Sequence, residues 1–149
     1  MKFEEFHRGQ RIDCGRCVVT QAEIVEFASR YDPQWFHTEA ERAATGRWRG
    51  LIASGWHTGA LSMRLFVDTV LAGSTSFASP GLDYLKWLAP VRPGDALHLE
   101  AVVLEVTRSA SGRVGVVRWQ WLTRNDRGEV VLDAGATTLF ELSDAPRGG

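Results

Sequence analysis

Only two cysteines, Cys14 and Cys17, occur in the 149 residues, and neither a run of like charge nor an unbroken apolar stretch accompanies them. Their C-x-x-C spacing is used by thiol redox centres and by half of a zinc site. Zinc requires four ligands and there is no second cysteine pair. A redox pair belongs at a helix N-terminus, whereas the first helix signal comes later, at Thr20. Two reduced thiols in a strand or turn are therefore expected, with no metal. Charge excess is also missing: Lys+Arg 17 against Asp+Glu 18 leave a net charge of −1, which gives no footprint for a polyanion and argues against nucleic acid as a partner. The most apolar stretch, Leu51 to Leu71, is interrupted by His57, Arg64 and Asp68, and Met1 to Gln10 has no apolar core of signal-peptide length. A cytoplasmic protein with no membrane partner is expected. The sequence has no glycine-rich phosphate loop, no internal repeat and no low-complexity segment apart from a tail, Ser143 to Gly149, expected to fray.

What is present suits one folded domain over residues 1–149, with 44% apolar and 23% charged residues. Thr20-Gln21-Ala22-Glu23 has the pattern of a capping box, and Ile24, Phe27, Ala28 and Tyr31 then recur at helical spacing. Pro33 ends that helix and makes Asp32 to His37 a loop. A short helix is expected over Thr38 to Ala44, then a link rich in Gly and Arg. From Gly55 to Leu71 apolar residues are too dense for a helix with one wet face, so a largely buried helix is predicted.

The remainder reads as strands at Asp83 to Leu88, Ala96 to Val106, Gly112 to Thr123 and Glu129 to Leu142, separated by Pro-Gly and Asn-Asp-Arg-Gly turns. Leu97, Leu99, Ala101 and Val103 share one face; Val117, Trp119 and Trp121 oppose Arg118 and Gln120. Antiparallel strands following helices argue an α+β class with a long helix laid against the sheet.

Two segments can carry chemistry. In Tyr31-Asp32-Pro33-Gln34-Trp35-Phe36-His37 a carboxylate and an imidazole are five residues apart on a loop anchored by apolar side chains. Such a pair can share a water, one group accepting a proton while the other donates. Both residues also read as helix-end caps. In Gly50-Leu51-Ile52-Ala53-Ser54-Gly55-Trp56-His57, Gly55 opens the long helix, where a free N–H backed by the helix dipole suits a developing oxyanion. Alternatively it only permits a tight entry into the helix. His57 reads as a packing histidine, and Trp48, Trp56, Trp87, Trp119 and Trp121 as core or interface residues.

With both motifs in view, the chain resembles the MaoC-like dehydratase family, which includes the R-specific enoyl-CoA hydratases. The family's hydratase motif has the form G-D-x-N-P-x-H. Asp32 and His37 fall on its catalytic carboxylate and histidine, while Tyr31, Gln34 and Trp35 stand where the motif has Gly, Asn and Pro. Gly55, in Ile52-Ala53-Ser54-Gly55-Trp56-His57-Thr58, falls on the family's backbone oxyanion donor. Leu88-Ala89-Pro90-Val91-Arg92-Pro93-Gly94-Asp95 resembles the segment after its central helix, so the likeness runs from about Phe3 to Leu142.

The resemblance implies a hot-dog fold, an antiparallel sheet wrapped around a long helix, in a homodimer whose sheets join and whose acyl tunnel lies near the interface. It implies a hydro-lyase of fatty acyl-CoA metabolism that hydrates a trans-2-enoyl-CoA to an R-3-hydroxyacyl-CoA, or runs the dehydration, with no cofactor beyond the thioester substrate. In that mechanism Asp32 takes the water proton, His37 orients the water and helps return a proton, and Gly55 N–H binds the thioester oxygen. Arg47, Arg49, Lys86 and Arg92 are available for the CoA phosphates. Two rivals stay open: an acyl-CoA thioesterase, and a non-catalytic acyl-CoA binding or assembly subunit that has drifted at Gln34 and Trp35.

Overall fold

The structure, a computed structural model, describes residues 1–143; apart from Ser143, the expected tail lies outside the described residues. A turn of 3-10 helix at Phe3–Glu5 leads into strand β1, Arg11–Val18. Gly15, at φ +84°, forms a bulge there, and the register against β4 shifts between Asp13 and Arg16. The bulge breaks the alternation that marks a strand. Cys14 and Cys17 lie in β1 as free thiols, and burial raises both, Cys14 to about 11.

Helix α1, Gln21–Tyr31, starts as the sequence predicts, with Thr20 Oγ1 accepting the Glu23 N–H at 3.2 Å. Ile24 and Ala28 are buried on its inner face, whereas Tyr31 is exposed. The expected loop 32–37 is only half a loop. Helical turn α2 covers Trp35–Thr38, because Gln34 O accepts both the His37 N–H and the Thr38 hydroxyl. Thr38 therefore belongs to α2, and the next helix, α3, is Ala40–Ala44.

Helix α4 spans Gly55–Phe66 and continues as a wider π turn over Val67–Leu71, matching the predicted extent. Its predicted burial is corrected. His57, Thr58, Ser62 and Phe66 face inward, while Trp56 and Met63 are 60% and 42% exposed, because the sheet covers only one flank of the helix.

Strands β2 (Ser76–Ala78), β3 (Leu82–Trp87), β4 (Ala96–Arg108), β5 (Val114–Arg124) and β6 (Val130–Glu141) complete an antiparallel sheet ordered β1-β4-β5-β6-β2, with β3 also pairing β6. Leu97, Leu99, Ala101, Val103, Val117 and Trp119 are buried together, as their alternation predicts. Phe66 from α4 packs against the Trp119 and Trp121 rings at 5.1 and 4.9 Å, and Ser62 and Thr123 hydrogen-bond at 2.7 Å. These contacts fix α4 on the sheet and so fix where its N-terminus, with Gly55, opens.

Candidate active site

The site is assembled by Leu51–Ser54, a buried extended segment with no regular structure of its own. Such a segment needs partners for its polar backbone groups. Ile52 N–H donates to Phe36 O at 3.2 Å and Ala53 N–H to Val91 O at 2.8 Å, clamping the segment between α2 and the loop after β3.

Asp32 closes the C-terminus of α1 and His37 sits in α2, 5% exposed. His37 Nδ1 lies 2.6 Å from Ile52 O, a pure acceptor, so Nδ1 carries the ring proton. Nε2 faces Asp32 Oδ2 at 3.3 Å. Oδ2 also accepts the Ser54 hydroxyl at 2.8 Å, and Oδ1 accepts the Gln34 amide at 2.7 Å. Partial burial acts to raise the Asp32 carboxyl, but the bonds from Gln34 and Ser54 and the facing His37 outweigh it and hold it below the usual carboxylate range.

A cleft of about 310 Å³ adjoins this pair, lined by His37, Trp48, Ile52, Ala53, Gly55, Thr58, Trp87, Leu88, Ala89, Pro90, Val91 and Val131. His37 and Gly55 line it together; Asp32 is not in the lining and adjoins it at His37 Nε2, 3.3 Å away. At the start of α4 the His57 and Thr58 N–H groups bond to Ser54 O, and among the described residues the Gly55 N–H has no acceptor. A side chain at Gly55 would collide with the Trp87 indole, which lies against it.

Gln34 therefore touches the pair directly. Trp35 does not: its ring packs on Gly46, beneath the Arg42 guanidinium at 4.6 Å, away from the cleft. Trp119 and Trp121 are core, but Trp48 and Trp87, expected as core or interface residues, wall the cleft. His57 is packed as expected, stacked on Phe27 at 4.8 Å, with Nδ1 buried and without a hydrogen-bond partner among the described residues. Arg47 and Arg49 flank Trp48 in the loop after α3, Arg49 at φ 56°, and Arg92 donates to Trp48 O at 2.6 Å. Lys86 lies over the Tyr84 ring on the opposite face of β3 from Trp87.

The residues that sequence reasoning passed over are Ser54, the Ile52 carbonyl and Trp87. Ser54 stands in the quoted motif, but a serine before a helix signals a cap. Among the described residues no group of three or more His, Cys, Asp or Glu could hold a metal ion, and no helix is long and apolar enough to cross a membrane.

A family model described as MaoC like domain matches residues 6–123. The crystal structure of a MaoC-like dehydratase from Rhodospirillum rubrum superposes with a TM-score of 0.86 at 40% identity, covering 95% of this chain and 97% of that one. Uncharacterized protein YdeM of Bacillus subtilis is 34% identical over 141 residues, 95% of this chain and 99% of that protein. 3-Hydroxyacyl-thioester dehydratase Z of Mycobacterium tuberculosis is 33% identical over 98 residues, 64% of this chain and 65% of its own length. The chain belongs to the MaoC-like dehydratase family and has its hot-dog fold.

Proposed function

We propose that this protein is a hydro-lyase that adds water to a trans-2-enoyl-CoA to give an R-3-hydroxyacyl-CoA, or runs the reverse dehydration. The observation that carries the reading is that His37 Nε2 and Asp32 Oδ2 stand 3.3 Å apart beside a cleft that also holds Gly55. An imidazole nitrogen and a carboxylate oxygen so placed can work on one water, one group accepting a proton while the other donates. Asp32 takes a water proton as the oxygen bonds to C3 of the enoyl group. Enolate charge then gathers on the thioester oxygen, where the Gly55 N–H and the dipole of α4 stabilise it. A proton returns to C2 through His37 Nε2, which is resupplied from Asp32, 3.3 Å away. Water's H and OH are added overall, and the pair ends as it began, so no cofactor is needed beyond the thioester.

Apart from His37, the cleft lining carries no ionisable side chain among the described residues, which suits an uncharged, apolar acyl group. The grouping of Arg47, Arg49 and Arg92 around Trp48 supports a role for them at the CoA phosphates, with Lys86, over the Tyr84 ring, as a further candidate. The 3-hydroxyacyl-thioester dehydratase named above supports a thioester substrate. We further propose a cytoplasmic homodimer. Among the described residues β3 pairs only with β6, and the exposed Leu82 and Trp87 lie on it, with Leu88 just past its end and Trp56 and Met63 exposed on α4.

Loss of enoyl-thioester absorbance on adding the protein supports this reading. Release of free CoA without that loss, trapped by a thiol reagent, favours the thioesterase instead. Acyl-CoA binding by calorimetry with neither reaction favours a binding subunit.

A further inference from the structure

Ser54 occupies the position from which a serine ordinarily caps its own helix by accepting an N–H of the first turn. It makes no such bond to α4. Its hydroxyl is turned the other way, onto Asp32 Oδ2 at 2.8 Å, and the residue has no exposed surface. Oδ2 is the same oxygen that faces His37 Nε2.

We propose that Ser54 is a positioning residue, whose hydroxyl holds the Asp32 carboxylate toward His37. The proposal rests on the hydration reading for its role in turnover, though its geometry stands apart from it. Two residues earlier, Ile52 O holds the other member of the pair by accepting His37 Nδ1–H. Ile52 to Ser54 thus fixes both proton-handling side chains, and the segment is itself bonded to Phe36 and Val91. The same stretch ends where Gly55 begins α4. Carboxylate, imidazole and helix N-terminus are thereby held in register by a few consecutive residues. Gln34, the second donor to Asp32, is exposed and bonds the other oxygen, so it cannot replace Ser54 at Oδ2. A hydrogen bond to the charged form of an acid favours that form, so losing it makes Asp32 easier to protonate.

The test compares wild type with Ser54→Ala, and with Ser54→Thr and Ser54→Cys, which keep a donor of differing strength. The readouts are the pH dependence of kcat/KM down to about pH 4 and the carbon-13 titration of the Asp32 carboxyl. Ser54→Ala is expected to raise the Asp32 titration and the acid limb together by about one pH unit, and to lower kcat about ten-fold or more with little change in KM. Ser54→Thr restores both midpoints, and Ser54→Cys, should the threonine variant not fold, lies between alanine and serine. A folded Ser54→Ala protein whose Asp32 titrates as in wild type overturns the proposal, whatever its rate. If wild type hydrates no enoyl thioester, the functional reading fails; the carboxyl titration still decides for or against the Ser54 contact.

Discussion

The Trp87 indole lies against Gly55, where any Cβ would collide with it, so the residue that opens α4 is fixed as glycine by a side chain 32 positions further along the chain. Gly55→Ala forces the ring or the helix start to move and is expected to destabilise by about 1–3 kcal/mol. Trp87→Ala in the same chain removes the obstacle. In urea unfolding the double variant should recover part of the Gly55→Ala loss, a coupling of about 0.5 kcal/mol or more. Strict additivity contradicts the contact.

Phe66 is 1% exposed between the Trp119 and Trp121 rings and ties α4 to the sheet. Phe66→Ala is expected to cost about 3–5 kcal/mol. Thr123→Val, which removes the buried partner of Ser62, should cost nearer 1 kcal/mol, since Ser62 still donates to Thr58 O. Chemical denaturation ranks the two; the reverse order contradicts this packing.

Burial lowers the titration of His57 below the ordinary value of 6.5, partly countered by Glu23. The folded chain therefore prefers the neutral ring, and protons bind the unfolded chain more readily. Stability from this group is complete above about pH 6.5 and is lost as pH falls toward the lower folded value. The urea midpoint of wild type should fall from pH 7 to pH 5 more steeply than that of His57→Phe, which keeps a ring against Phe27. Equal slopes contradict it.

Leu82 and Leu88 bracket the free edge of β3, and both are about half exposed. Replacing both by Lys should convert the proposed dimer to monomer in sedimentation velocity while leaving the circular dichroism unchanged. A wild type that sediments as a monomer removes the dimer from the account.

The parts of the fold that repeat along the chain were legible in the sequence. The buried faces of β4 and β5 follow from alternation, α1 from Thr20 and its apolar spacing, and α4 from its apolar density. β1 showed no such pattern because Gly15 bulges it, and β2 is three residues long. At the site, Asp32, His37 and Gly55 stood in motifs, but what holds them did not. His37 is locked by a backbone carbonyl 15 residues away, which has no side-chain signature. Ser54 looks like a cap until the direction of its hydroxyl is known. Trp48 and Trp87 come from different loops and strands, and only the folded sheet sets them around one cleft.

The most direct test of the central claim follows enoyl-thioester absorbance with crotonyl-, hexenoyl- and octenoyl-CoA for wild type, Asp32→Asn and His37→Gln. Wild type is predicted to turn over at least one of the three, and each substitution to reduce the rate about 100-fold or more in protein that remains folded. Wild type inert on all three, or either variant retaining the wild-type rate, would contradict hydration by this pair.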